Sequence, residues 1–319
     1  MPTSRAPPVR LRTTRPEPTA LASVEYGSVA MADLSDKRGR LMRYEILGPL
    51  RFTGESGPSY IGARKVETLL AALLIRSGQV VASGRIKEEI WGGSPPRRAS
   101  AAVHVYVSQL RKILAAAAPV PVGPIVTRPP GYLLQLDEDD ELDVRTFEER
   151  VALGRVLVHE GRHDEACVVL KSALSLWRGP VLVGVSGGPL IGAFVGAVED
   201  ARVECLELLM DAQLTVGRHR EVVGQLQTLS GEHPLSEVFY RQLMLALYRS
   251  ERQAEALRVY DTARGVLHGE FGLEPGQPLR DLQRAILLGD PRLEHPSAST
   301  SPFGRISMMA SARISPVRT

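Results

Sequence analysis

Cysteine is almost absent from this chain: the 319 residues contain two, Cys167 and Cys205, each inside an apolar helical pattern. Two isolated cysteines this far apart form no metal-binding or redox motif. They are therefore expected to be buried reduced thiols, with a disulfide between them as the alternative. Aromatic residues make up only 5% of the sequence, which favours helical cores packed from Leu, Ala and Val.

Long apolar runs are missing as well. No stretch approaches the roughly 18 uninterrupted apolar residues that a membrane-spanning helix requires. The N-terminus contains arginines but lacks the apolar core of a signal peptide. These absences predict a cytoplasmic protein that does not contact the membrane.

The sequence also lacks motifs of enzymatic chemistry. Residues 159–163, HEGRH, formally match the zinc-protease motif H-E-x-x-H, but Gly161 falls where a turn between two helices is expected. The glycine-rich residues 183–196 lack the lysine and the glycine spacing of a nucleotide-binding loop. They are interpreted as a flexible connection into a helix over residues 193–216. The sequence therefore predicts neither an enzyme nor a cofactor or metal site.

Charge is divided unevenly along the chain, although the total is only +3. Residues 41–136 contain 12 Lys/Arg and 5 Asp/Glu, a balance of +7, whereas residues 137–290 contain 16 and 26, a balance of −10. A basic first half fits binding to a polyanion, and an acidic second half fits contact with another protein.

Composition divides the chain into four segments. Residues 1–40, rich in Pro, Thr, Ser and Arg, are expected to be a disordered basic extension, and residues 291–319 a disordered tail. Residues 41–136 are expected to form one domain and residues 137–290 a second. The acidic residues 137–143, DEDDELD, are interpreted as a solvated linker between them. The alternative translation starts are Met1, Met31 and Met42.

The first domain has the pattern of strands, three helices and a hairpin. The elements expected before residue 97 are strands at 44–47 and 50–52, a turn at 54–58, a helix whose apolar stripe covers 66–74 and which ends near residues 77–78, and a helix at 85–91. Ser83 is a suitable N-cap for the second helix, which should stop at Gly92.

Residues 97–114, RRASAAVHVYVSQLRKIL, are the most informative segment of this domain. Their apolar residues form one helical stripe: Val103, Tyr106, Val107, Leu110 and Leu114. The remaining face is polar and basic, which alone is as typical of a solvated surface as of a DNA-binding helix. Residues 126–134, VTRPPGYLL, follow as two strand-like runs joined by a Pro-Pro-Gly turn. A basic helix followed by a basic hairpin is the order of a winged helix-turn-helix.

The predicted DNA contacts lie on this helix and this wing. Arg97 and Arg98 are placed to reach guanine edges or phosphates, and Arg128 to reach the minor groove or a phosphate. The sequence does not decide which residues contact bases among Arg97, Arg98 and His104. Trp91 is interpreted as a helix-packing residue. The full predicted set is Arg97, Arg98, Ser100, His104, Ser108, Arg111, Lys112, Thr127 and Arg128.

The second domain is predicted to be helical and repetitive. Three segments can be aligned: GRHDEA at 161–166, GRHREV at 217–222 and ERQAEA at 251–256. The second and third copies are 34 residues apart, which is the tetratricopeptide period, and in such repeats a turn joins two antiparallel helices. The expected fold class is therefore mainly α with small β elements, a winged helix-turn-helix domain followed by a tetratricopeptide-like domain.

These motifs together resemble the Streptomyces antibiotic regulatory protein family, which combines an OmpR-like winged helix with a bacterial transcriptional activation domain of tetratricopeptide type. The resemblance covers residues 41–289. The motifs that carry it are EILGPL at 45–50, IWG at 90–92, VYVSQLR at 105–111, TRPPGY at 127–132, LWRGP at 176–180, QLMLALYR at 242–249 and GLEPG at 272–276. Residues 183–196 depart from the more charged pattern that is usual in the family.

The resemblance implies a pathway-specific transcriptional activator of a secondary-metabolite gene cluster. The implied partners are double-stranded promoter DNA with direct repeats near the −35 element, a second copy of the chain on those repeats, and RNA polymerase holoenzyme, through its sigma factor and core subunits. Two alternatives remain. One is a tetratricopeptide adaptor that binds only protein, which leaves the basic first half unexplained, and the other is a repressor that uses the same winged helix.

Overall fold

The computed structural model describes residues 42–55, 57–117 and 124–294. The extension predicted for residues 1–40 lies outside these ranges, as does most of the tail predicted for 291–319. The first residues of that tail are ordered against the helical part. Residues Pro291–Leu293 form a short 3-10 helix, and the Leu293 carbonyl accepts a hydrogen bond from Arg249 Nε at 2.8 Å.

The described residues are mainly helical with small sheets, as predicted. The strands are β1 (Arg43–Glu45), β2 (Arg51–Gly54), β3 (Gly57–Ser59), β4 (Val80–Ala82), β5 (Ile125–Arg128), β6 (Gly131–Leu134) and β7 (Glu141–Leu142). The helices are α1 (Arg64–Ile75), α2 (Ser83–Trp91), α3 (Ala99–Ala117), α4 (Asp143–His159), α5 (His163–Leu174), α6 (Pro189–Thr215), α7 (His219–Glu232), α8 (Glu237–Arg249), α9 (Gln253–Phe271) and α10 (Gln277–Leu288).

Strands β1, β2 and β3, at the start of the described chain, form a four-stranded sheet with β7, in the order β3-β2-β1-β7. The turn predicted at residues 54–58 is wrong in part, because Gly57 already belongs to β3, which pairs antiparallel with β2. Strand β7 lies within the segment predicted to be a linker and pairs in parallel with β1. The sheet therefore contains residues from both sides of the expected domain boundary.

The prediction of a solvated acidic linker at residues 137–143 is wrong for Asp143, which is only 4% exposed. Its carboxylate accepts hydrogen bonds from the backbone N–H groups of Ile46 and Leu47, at 2.9 Å. These amides follow the end of β1 and would otherwise be buried without an acceptor. Burial raises the pKa of the Asp143 carboxyl, whereas the two amides and the guanidinium of Arg178 act in the opposite direction.

Helices α1, α2 and α3 pack around a buried apolar core that includes Leu69, Leu73, Ile86 and Leu110. The prediction of Ser83 as the N-cap of α2 is wrong: Ala82 is the N-cap and Ser83 is the first helical residue. The backbone N–H of Ser83 instead donates to the Pro130 carbonyl in the hairpin. Helix α2 ends at Gly92, as predicted.

The hairpin predicted at residues 126–134 is present as β5 and β6, and β4 adds to it in the order β4-β6-β5. Strand β4 was not predicted, since its three residues are too few to show an alternating pattern. Strand β6 approaches β4 so closely at Gly131 that a Cβ there would clash with the Val81 carbonyl oxygen. The glycine of the Pro-Pro-Gly turn is therefore needed for this contact.

The three aligned repeat segments occupy equivalent turns, between α4 and α5, α6 and α7, and α8 and α9. The first residue of each segment, Gly161, Gly217 or Glu251, has a positive φ of 76°, 83° or 64°. In each turn the backbone N–H of the following arginine donates to the carbonyl five residues earlier, at 2.9 Å. The structure thus confirms that the segments correspond and that each joins two packed helices.

Both cysteines lie in the helical part, Cys167 on α5 and Cys205 on α6. They are buried free thiols, so the prediction of buried reduced cysteines is confirmed and the alternative of a disulfide between them is wrong. Burial raises the pKa of both thiols, that of Cys205 to about 12. The two side chains therefore stay protonated and act as small apolar core residues.

The interpretation of residues 183–196 as a flexible connection is wrong in two respects. Helix α6 begins at Pro189 rather than at residue 193, and the residues before it are anchored to α1 and α2. The Glu89 carboxylate, 3% exposed on α2, accepts from the backbone N–H groups of Gly188 and Leu190, both at 2.8 Å. The first amides of a helix have no partner within the helix, and an anion is favoured there. Glu89 therefore caps α6.

Candidate nucleic-acid interface

Helix α3 begins two residues later than predicted. Arg97 and Arg98 lie in a turn that precedes Ala99, and both are exposed. The turn follows Pro95 and Pro96, and the Pro96 carbonyl accepts from the Ala99 N–H at 2.9 Å. Because proline disfavours helical geometry in the residue before it, the helix starts after this pair. The two arginines therefore extend from the N-terminal end of α3 rather than from its side.

The outward face of α3 brings four predicted residues together. Ser100, His104, Ser108 and Lys112 are all exposed and follow one another at intervals of four, so they lie along one line of the helix about 6 Å apart. The opposite face is buried and contains the residues Ala99, Val103, Val107, Leu110 and Leu114. Tyr106, predicted to belong to the buried stripe, is half-buried at its edge.

Two further residues on this face were not predicted. Val105 is 54% exposed, and Gln109 is exposed one turn further along α3. Both lie beside the line formed by His104 and Ser108 and outside the apolar stripe. A helical wheel of residues 99–117 would have identified them, because neither position lies three or four residues from a buried residue of the helix.

Arg111 is engaged within the protein. Its Nε and Nη2 donate to the Ile125 carbonyl at 3.1 and 3.0 Å, and Nη2 also donates to Thr127 Oγ1 at 2.9 Å. The side chain thereby joins α3 to strand β5. Of the nine predicted residues, Arg111 and Thr127 are therefore connected to each other, and their contact with DNA stays a prediction.

The tip of the wing is formed by the turn between β5 and β6. Arg128 and the two prolines after it are exposed, and Arg128 is paired in register with Gly131. A second connection between wing and helix is made by Tyr132 of β6, whose hydroxyl lies 2.7 Å from Nδ1 of His104 on α3.

Four cations around α3 and the wing form no ion pair with the residues that the structure describes. Within the described residues, Arg97, Arg98, Lys112 and Arg128 have no carboxylate oxygen within the 4.0 Å of a salt bridge. In the helical part, by contrast, many exposed arginines are paired, as in Arg155–Glu204 at 2.8 Å. An unpaired basic surface can neutralise phosphates without first breaking a salt bridge.

Trp91 packs between helices, as predicted. Its ring lies 6.0 Å from that of Tyr106 on α3, and Lys65 Nζ of α1 is 5.2 Å from the ring centre. The indole therefore helps to set the position of α3 relative to α1 and α2.

Other kinds of site find little support in the part of the chain that the structure describes. His159 and His163 belong to two different helices, since α4 ends and α5 begins between them. In the described ranges no three metal-binding side chains are grouped. No helix there is long and apolar enough to cross a membrane.

Both parts of the chain match families of known proteins. Residues 61–134 match the family described as "Transcriptional regulatory protein, C terminal", and residues 142–287 match "Bacterial transcriptional activator domain". The regulatory protein DnrI of Streptomyces peucetius is 35% identical over 259 residues, which cover 79% of this chain and 94% of DnrI. The chain belongs to the Streptomyces antibiotic regulatory protein family of transcriptional activators. The resemblance seen in the sequence motifs is thereby confirmed.

Other members and relatives of this family differ in length. The regulatory protein AfsR of Streptomyces coelicolor is 37% identical over 260 residues, which cover 82% of this chain but only 26% of AfsR. The chain therefore spans about a quarter of that relative. Among solved structures, Mycobacterium tuberculosis EmbR in complex with a low-affinity phosphopeptide is similar, with a TM-score of 0.75 and 30% identity. The similarity covers 80% of this chain and 69% of the EmbR chain.

Proposed function

We propose that this chain binds double-stranded promoter DNA through α3 and the wing and activates transcription of a secondary-metabolite gene cluster, such as one for an antibiotic. The observation that carries the proposal is a group of four exposed cations around one exposed helix face that have no ion-pair partner among the described residues: Arg97, Arg98, Lys112 and Arg128. In this arrangement α3 enters the major groove while the wing holds the phosphate backbone. Membership in a family of transcriptional activators supports the second part of the proposal, that DNA binding activates transcription.

The residues divide by the contacts that their chemistry favours. Arg97, Arg98 and His104, at the N-terminal end of α3, are assigned to base edges or nearby phosphates, and Gln109 is suited to adenine. Val105 offers apolar contact to a thymine methyl group. The residues assigned mainly to the backbone are Ser100, Ser108, Arg111, Lys112, Thr127 and Arg128.

The second half of the chain supplies the activating contact in this proposal. Residues 41–136 bind DNA, and residues 137–290, with a net charge of −10, contact RNA polymerase holoenzyme through sigma factor and core subunits. Two copies bind direct repeats near the −35 element. For both to approach from the same side of the duplex, the repeat centres should be about 10 to 11 base pairs apart.

The test measures DNA binding and transcription with the full chain. The triple variant Arg97→Ala/Arg98→Ala/Lys112→Ala should bind promoter DNA of the associated gene cluster more weakly. The plot of log binding constant against log salt concentration has a negative slope, and this slope should become less steep by about 0.9 for each phosphate that the variant no longer neutralises. The matched control, Lys171→Ala/Arg220→Ala/Arg258→Ala, removes the same charge from exposed positions of the helical part and should bind like the wild type.

Transcription in vitro with purified polymerase then distinguishes activation from repression. Added wild-type protein should raise the amount of transcript, and the triple variant should not. If the triple variant binds as tightly as its control at the same salt concentration, α3 is not the DNA-binding surface. A fall in transcript on adding the wild-type protein would identify a repressor instead.

A further inference from the structure

Tyr132 and His104 form a contact that connects the inside of the wing to the outward face of α3. Tyr132 lies in the central strand β6, in register with Val81 on β4 and Thr127 on β5, and is 3% exposed. His104 is exposed, between Ser100 and Ser108 on the proposed DNA-binding face. The two rings meet edge to face, at 77° with centroids 6.2 Å apart, and the Tyr132 hydroxyl lies 2.7 Å from His104 Nδ1.

The direction of this hydrogen bond follows from the donors and acceptors available. In the described part of the chain, His104 Nδ1 is the hydrogen-bond partner of the Tyr132 hydroxyl. If Nδ1 carried the proton of a neutral imidazole, it would donate to the phenol oxygen and leave the phenol proton of a buried residue without an acceptor. If the hydroxyl donates instead, Nδ1 accepts and both groups are satisfied. The ring proton then lies on Nε2.

We propose that Tyr132 is a positioning residue that fixes His104 as a hydrogen-bond donor toward DNA. The two ring nitrogens point in different directions, so when Nδ1 faces the Tyr132 hydroxyl the Nε2–H is directed away from that hydroxyl. A donor at this place on α3 discriminates between bases, because guanine presents two acceptors, N7 and O6, in the major groove whereas cytosine presents an amino donor. The inference rests on the proposed function and adds to it that, at one position of the site, His104 donates to a base acceptor such as guanine N7 or O6 and thereby disfavours cytosine.

Sequence selection with the full chain tests this inference. Duplexes bound from a random DNA library give the preferred site, and binding is then measured for each base at each position. Wild type should prefer guanine over cytosine at one position, and His104→Ala and Tyr132→Phe should both reduce that preference by about 3- to 10-fold, the worth of one hydrogen bond. Preferences elsewhere in the site should be kept.

Tyr106→Phe is the matched control. It removes a tyrosine hydroxyl from α3, the helix that contains His104, and leaves the contact between Tyr132 and His104 intact. Melting temperatures of both Tyr→Phe variants show whether either loses its fold. Nitrogen-15 chemical shifts of His104, measured without DNA, should show the proton on Nε2 in the wild type and a mixture of tautomers in Tyr132→Phe. This readout does not depend on knowing the operator.

Three results would overturn the inference. The first is a wild-type His104 with its proton on Nδ1. The second is a Tyr132→Phe variant that keeps the preference for guanine over cytosine, although His104→Ala removes it. The third is a loss of affinity in both variants that is equal for all bases, which indicates a phosphate contact. If the wild type selects no sequence at all while the tautomer is as expected, the proposed function fails rather than the positioning by Tyr132.

Discussion

At the scale of single residues, Arg111 makes one of two polar connections between α3 and the wing, the other being the contact of Tyr132 with His104. Its guanidinium reaches a backbone carbonyl and a hydroxyl on β5 at the same time, which requires the planar, forked geometry of arginine. Lys112, the next residue, is exposed and has no carboxylate partner among the described residues. Two adjacent cations with similar sequence signals thus have different surroundings.

We therefore expect Arg111→Ala to lower the free energy of unfolding by about 1 to 2 kcal/mol, because it removes the hydrogen bonds to Ile125 and Thr127. Arg111→Lys should recover only part of the loss, since an ammonium group cannot bond both oxygens in the same way. Urea unfolding followed by circular dichroism measures the effect. The control Lys112→Ala should change stability by less than about 0.5 kcal/mol, and equal effects of the two alanine variants would contradict this assignment.

At the scale of elements, the N-terminus of α6 is fixed by a residue from another helix. Glu89 lies on α2, next to the helix proposed to enter DNA, and caps α6 about 100 residues later in the chain. Thr68 on α1 adds a second connection, since its hydroxyl donates to the Ser186 carbonyl at 2.9 Å. The segment before α6 is therefore held by two of the first three helices.

Glu89→Gln should lower the free energy of unfolding by about 1 to 3 kcal/mol, since the amide offers one acceptor oxygen instead of two and no charge to the helix terminus. Differential scanning calorimetry of the full chain gives the change in stability, and limited proteolysis should show earlier cleavage near residues 183–189. Glu88→Gln is the matched control: Glu88 precedes Glu89 on α2 and makes only an exposed pair with Arg85. Similar losses in both variants would mean that the cap does not stabilise α6.

At the scale of the whole molecule, two motifs that are far apart in sequence contact each other. The Arg178 backbone N–H donates to the Leu47 carbonyl at 2.8 Å, and its guanidinium donates to the Pro49 carbonyl at 3.1 Å. Asp143 accepts from the Ile46 and Leu47 amides, and its Oδ2 lies 3.9 Å from Nη2 of Arg178. The EILGPL and LWRGP motifs are therefore two sides of one contact between the N-terminal sheet and the helical part.

A fragment of residues 42–136 should accordingly be less stable than one of residues 42–146, by about 1 to 3 kcal/mol, because it lacks β7 and the acceptor for two buried amides. Asp143→Ala in the longer fragment should remove most of the gain. Denaturant midpoints of the three proteins measure this order. Equal midpoints would show that the first part of the fold is independent of residues 137–146.

Local patterns predicted much of this fold. The apolar stripe of α3, the hairpin after it and the three equivalent repeat turns all follow from spacings of two, three and four residues and from glycine and proline. Strands as short as β3, β4 and β7 were missed, because two or three residues are too few to show a period. The outward face of α3 could be predicted, but the bond from Arg111 to β5 could not, since it joins residues 14 positions apart in different elements.

Composition and residues close together in the chain were enough to identify the family, the basic first half and the amphipathic helix followed by a basic hairpin. The roles of Asp143, Glu89, Arg111 and Tyr132, by contrast, became visible only from their three-dimensional contacts. Each of these side chains is polar, and a polar residue has the same local signal whether it faces water or satisfies a buried partner. Which of the two occurs depends on the atoms that the fold brings near it.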